Sequence, residues 1–164
     1  MDWSKMFTSR VVVFGCGNIL LGDDGIGPVV IHELENDPEI PEDTALLDVG
    51  TSIRTLLFDI LTNEQRPKRI VVVDATTEEG REPGEFWEID IDEISPKKIL
   101  DFSMHQFPSS NLLKEIRKHT GVEIKVLVIQ TGYIPEFIEE GLSAPLKAAL
   151  PGIKTRVKEL IKEH

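Results

Sequence analysis

A single cysteine, Cys16, is all the thiol chemistry available to this chain of 164 residues. No disulfide can close within it, and no cysteine cluster can hold zinc. The N-terminal stretch Met1-Asp2-Trp3-Ser4-Lys5-Met6 lacks the basic start and apolar core of a signal peptide, and no apolar run reaches membrane-spanning length. A cytoplasmic address without membrane contact is the expectation. Basic residues are scarce as well: 18 Lys and Arg stand against 29 Asp and Glu, for a net charge of -11. Nucleic acid is gripped by clustered Lys and Arg, so it is not an expected partner. The acidic excess suits a metal ion or a basic peptide segment, and equally a solvated surface that keeps the protein in solution. Internal repeats, low-complexity segments and interdomain linkers are also missing, and the length suits one domain over residues 1–164.

What is present is an alternation of two hydrophobic periods. Short β-branched runs, the pattern of strands covered on both faces, occur at Arg10 to Phe14, Arg69 to Asp74 and Glu123 to Gln130, with a weaker one at Ala45 to Val49. Between them, Ile26, Val29, Val30 and Leu34 recur at helical spacing, as do Ile53, Leu56, Leu57 and Ile60, and then Leu112, Leu113 and Ile116. The alternation predicts a three-layer α/β/α sandwich around a mostly parallel, twisted sheet of about five strands. Glu85 to Asp90, after the turn signal Pro83-Gly84, is a candidate antiparallel edge strand. Ser143 to Lys162 reads as a helix interrupted near Pro151-Gly152.

The first strand breaks into Gly15-Cys16-Gly17-Asn18-Ile19-Leu20-Leu21-Gly22-Asp23-Asp24-Gly25-Ile26-Gly27. Glycines after a buried strand permit a sharp turn and close approach to a ligand. A dinucleotide fingerprint fails here, because its third glycine is replaced by Leu20 and acids follow. A phosphate loop fails too, for want of Gly-Lys-Ser or Gly-Lys-Thr. Asp23 and Asp24 would repel an anion, so the turn suits a cation.

Ligands of open α/β sheets bind outside the carboxyl ends of the strands. That rule gathers Asp24, Asp48, Asp74 and Gln130-Thr131-Gly132 at one edge. One of Asp23 and Asp24 has an alternative use as the N-cap of the following helix, which leaves its neighbour without a structural role. Asp74 ends an Ile-Val-Val-Val run, where a buried carboxylate needs a partner or a cation, although a loop hydrogen bond would also serve. Of four histidines, His32 and His119 fall in helical patterns and His164 ends the chain. His105 lies between elements, ahead of a helix that Ser109 or Ser110 can cap. Two carboxylates and an imidazole form a donor set of borderline to hard character that suits a divalent transition metal with positions left open.

At these residues the chain resembles the maturation endopeptidases of nickel-iron hydrogenases. The matching segments are Gly15 to Pro28, Leu47-Asp48-Val49-Gly50-Thr51, Ile70 to Ala75, Pro83-Gly84-Glu85 and Met104-His105-Gln106. Asp101 to Leu113 looks most like the subgroup serving deazaflavin-coenzyme-reducing hydrogenases of methanogenic archaea. The resemblance implies a protease that removes a short C-terminal extension from the hydrogenase large-subunit precursor once its iron-nickel centre is loaded. It also implies Asp24, Asp74 and His105 as the metal-contacting and catalytic residues, with Asp48 in support. Many relatives carry glutamate where this chain has Asp24, which keeps the ligand chemistry and changes its reach. No permanent cofactor is then required: nickel arrives with the precursor, and the protease is expected to act as a monomer. Nickel could position and polarise the scissile carbonyl, or the carboxylates could activate water. Two alternatives stay open, a non-catalytic metal- or precursor-binding assembly factor and a cysteine hydrolase using Cys16 with His105.

Overall fold

The computed structural model describes residues 2–92 and 109–163, without the side chains of Ser109 and Ser110. A short helix α1 (Lys5–Thr8) leads into β1 (Val11–Cys16), followed by a 3₁₀ turn (Gly22–Gly25) and α2 (Ile26–Leu34). Then come β2 (Thr44–Gly50), α3 (Ile53–Thr62), β3 (Arg69–Thr76), β4 (Phe86–Ile89), α4 (Ser109–Thr120), β5 (Glu123–Gln130) and α5 (Ala144–Lys162). The five strands form one sheet in the order β2-β1-β3-β5-β4. All neighbours are parallel except β4, which pairs antiparallel with β5 at the edge. The fold class and the antiparallel edge strand expected from the sequence are both present.

Alternation along the strands divides the interior in two. Val12, Phe14 and Cys16 of β1 with Ile70 and Val72 of β3 pack toward Ile53, Leu57 and Ile60 of α3 and Leu113 and Ile116 of α4. Val11 and Val13 with Val71 and Val73 pack toward Ile26, Val30, Ile31 and Leu34 of α2 and Ile153, Val157 and Leu160 of α5. Each aliphatic side chain buried in this way contributes about 1.5–3 kcal/mol relative to exposure.

Two features of the sequence reading change. β3 does not end at Asp74: it stays in register with β5 through Ala75↔Ile129 and Thr76↔Gln130, so Asp74 sits inside the ladder opposite Val128. The C-terminal helix is also continuous through Pro151. Proline there removes one backbone donor, but the residue is exposed and the bond it forfeits lies on the solvent side. Gly152 is explained by packing, since a Cβ at that position would stand 3.2 Å from the Phe86 ring of β4.

The junction between β1 and α2 sets the position of the carboxyl edge. A Cβ on Gly27 would lie 2.3 Å from the Cys16 carbonyl oxygen and 2.6 Å from that of Val73, distances no side chain can occupy. Gly27 thus performs the close helix–strand contact that the third glycine of a dinucleotide fingerprint would supply, seven positions after Leu20. It clamps the start of α2 onto β1 and β3 and so places the 3₁₀ turn against β3.

Candidate active site

The turn begins at Gly17, whose φ of 132° suits glycine and whose Cβ would fall 1.9 Å from the Asp24 carbonyl oxygen. This contact folds the loop back on itself. Asp24 closes the fold with its side chain, since Asn18 N–H donates to Asp24 Oδ2 at 2.9 Å. Asp24 is only 2% exposed, and Asp74 3%. Asp74 accepts Ala75 N–H through Oδ1 at 2.8 Å. By strand alternation it shares the face of Ile70 and Val72, beneath α3 and α4. The turn therefore brings Asp24 beside the strand that carries Asp74, and two buried carboxylates meet the carboxyl edge of the sheet as the topology requires.

His105 lies outside the described residues. It stands four positions before Ser109, the first residue of α4. Because α4 is followed within three residues by β5, the helix runs back across the sheet, with its N-terminus directed toward the carboxyl edge. Among the described residues no group of three His, Cys, Asp or Glu side chains has the arrangement of a metal site.

Asp23 differs from the expectation of a local helix cap. No side chain caps α2, whose N-cap position is Gly25. The Asp23 carboxylate, fully buried, instead accepts Gly132 N–H and Tyr133 N–H at 2.8 Å each and the Ser143 hydroxyl at 2.7 Å, all on Oδ2. Its Oδ1 accepts Ser143 N–H at 2.6 Å. Ser143 is the N-cap residue of α5, so Asp23 places its negative charge at the start of a distant helix, where the helix dipole favours it. One carboxylate of the Asp23-Asp24 pair is thus wholly committed to structure.

Asp48 faces the other side of the sheet from Asp74. Its Oδ2 lies 2.9 Å from His32 Nε2 on α2, and its Oδ1 accepts Gly50 N–H at 3.0 Å. It braces the end of β2 against α2. His119 pairs with Glu115 one helical turn away at 2.8 Å.

Cys16 belongs to the core beneath α3, at 2% exposure. Burial first, and then the charges of Asp74 and Asp48, push its thiol well above the usual cysteine range. A thiolate nucleophile requires the opposite surroundings, which argues against the Cys16–His105 pair. Cys16→Ala is therefore expected to retain processing activity within about twofold, with any loss arising from the small cavity left behind. A progress curve of precursor cleavage checks this.

The family model for HycI hydrogenase maturation proteases matches residues 28–162. The chain belongs to the hydrogenase maturation protease family. It is 36% identical over 153 residues to the coenzyme F420 hydrogenase subunit delta of Methanothermobacter thermautotrophicus, covering 88% of this chain and 90% of that one. It is 29% identical to the hydrogenase 2 maturation protease of Escherichia coli, over 94% and 92% of the two chains. Among solved structures it resembles the [NiFe] hydrogenase maturation protease HycI of Thermococcus kodakarensis, with a TM-score of 0.74, 26% identity and 94% coverage of each chain. The family that the sequence resembles is borne out, and its relatives include a subunit of a coenzyme F420 hydrogenase; as a family member the protein is an endopeptidase of hydrogenase maturation.

Proposed function

We propose that this maturation protease removes the C-terminal extension of a nickel-iron hydrogenase large-subunit precursor after nickel insertion, and that Asp24, Asp74 and His105 contact nickel carried by the precursor. The observation that supports this reading is the pair of buried carboxylates, 2% and 3% exposed, set at the carboxyl edge of one sheet by the glycine turn and by β3. Keeping two such charges out of water is costly unless a cation or strong donors answer them. A divalent metal that reaches the site with its own thiolate ligands accepts oxygen and imidazole donors in its open positions.

In this scheme the protease side chains fix the metal, and the metal fixes the peptide. Nickel draws electron density from the scissile carbonyl, and a carboxylate takes a proton from the attacking water. Hydroxide adds to the carbonyl carbon, the C–N bond breaks, and the proton passes to the departing amine. The protein acts as a monomer and keeps no metal between turnovers. Incubation with nickel-loaded precursor is expected to release a discrete C-terminal peptide detectable by mass spectrometry. Stable binding with no peptide released would favour a non-catalytic assembly factor instead.

A further inference from the structure

Seven large apolar side chains are exposed among the described residues, and five of them lie on two loops that meet beside the site: Ile19, Leu20, Tyr133, Phe137 and Ile138. Phe137 is 82% exposed and Ile138 74%, so neither is packed into the core of the described residues. Contiguous exposed apolar surface of this kind marks interaction sites on soluble proteins.

The two loops are joined firmly. Leu21 forms a parallel β-bridge with Glu139; Gly22 N–H donates to the Glu139 carbonyl, and Glu139 N–H to that of Leu20, both at 2.9 Å. Asp23 N–H donates to the Tyr133 carbonyl at 3.1 Å, and the Asp23 carboxylate accepts the four bonds described above. The lip is therefore preorganised, and Leu20 stands only four residues before Asp24.

Its charge is one-sided. Neither residues 11–31 nor residues 126–146 contain Lys or Arg, whereas Glu136, Glu139 and Glu140 border the apolar pair and are exposed. A second copy of this chain, with a net charge of -11, is a poor complement to such a surface. A protein surface with apolar side chains flanked by Lys or Arg is a good one.

We propose that the lip formed by Ile19, Leu20, Tyr133, Phe137 and Ile138 is the docking surface for the hydrogenase precursor, which it engages through apolar side chains flanked by basic ones and independently of nickel. This rests on the reading of the protein as a precursor-processing protease. Docking and metal recognition are then separate events: the lip captures precursor in either state, and the carboxylates admit only the loaded one.

The test is titration calorimetry with nickel-free precursor, which is bound but not cut. The Phe137→Ser/Ile138→Ser double variant is expected to bind it at least about 10-fold more weakly than the wild-type chain. Glu136→Lys/Glu140→Lys is expected to weaken binding and flatten its salt dependence. Phe58→Ser removes a comparably exposed aromatic from α3 and should change nothing. With loaded precursor, the lip variants should raise KM and leave kcat within about threefold. Both positions are exposed, so unchanged melting temperatures are expected and report folding. Equal binding by wild type and lip variants, no binding of nickel-free precursor by the wild type, or concentration-dependent self-association of the wild type abolished by Phe137→Ser/Ile138→Ser would each overturn the proposal. If the precursor is bound through the lip yet never cut, the protease reading fails while the docking surface stands.

Discussion

Asp74→Asn is expected to slow precursor processing by about 10²–10⁴-fold, a larger effect than its effect on the melting temperature. The substitution keeps the shape of the side chain and an oxygen to accept Ala75 N–H, so the local geometry survives. It removes the charge and turns one acceptor oxygen into an NH₂ donor, and a metal or a water proton would use that charge and that oxygen. The side chain keeps its size and its acceptor for Ala75 N–H, so the loss of rate is expected to exceed the loss of stability. The same argument applies to Asp24→Asn, where an amide oxygen can still accept Asn18 N–H. Asp24→Glu preserves the charge on a longer arm and should keep more activity than Asp24→Asn. Single-turnover rates with loaded precursor, set beside thermal melts, check all three. Loss of folding in step with loss of rate would assign these carboxylates to structure.

The neighbouring residue should behave in the opposite way. Asp23→Ala is expected to destabilise the protein by about 3–5 kcal/mol, because Gly132, Tyr133 and Ser143 N–H groups and the Ser143 hydroxyl all lose their acceptor at a fully buried position. For a chain of this size that lowers the melting temperature by about 10 °C or more. Chemical denaturation gives the value directly. Asp23→Asn should be milder than alanine but not harmless, since its NH₂ group must face donors that the second carboxylate oxygen now receives. A change of under about 1 kcal/mol for Asp23→Ala would contradict the clamp. On the proposed function the two adjacent aspartates would divide the work, Asp23 holding the turn and Asp24 meeting the substrate.

Particular residues show why some of this was legible in the sequence and some was not. The sheet was legible because Val11 to Phe14 and Ile70 to Val73 are buried on both faces, a condition that leaves a continuous β-branched run. The placement of Asp24 and Asp74 toward the same edge of the sheet followed from topology. The role of Asp23 was hidden, because its partners lie 109 to 120 residues away and a local cap is the natural reading of an acid before a helix. Asp48 turned out to serve α2, a fact carried by strand parity: Leu47 and Val49 face α3, so the residue between them faces the other way. Pro151 misled because a proline at an exposed helix position loses one bond without breaking the helix. The apolar lip did leave a trace, the pair Phe137-Ile138 set between acids in a proline- and glycine-bearing loop, but its meaning depends on the cross-loop pairing of Leu21 with Glu139.

The central claim is that the protease reads the metal state of its substrate through Asp24, Asp74 and His105. The most direct measurement compares cleavage of nickel-loaded and nickel-free large-subunit precursor by the same purified enzyme, followed by mass spectrometry of the released peptide. The account predicts release from the loaded precursor alone, restored to the nickel-free sample when nickel is inserted. Equal processing of both forms would contradict it.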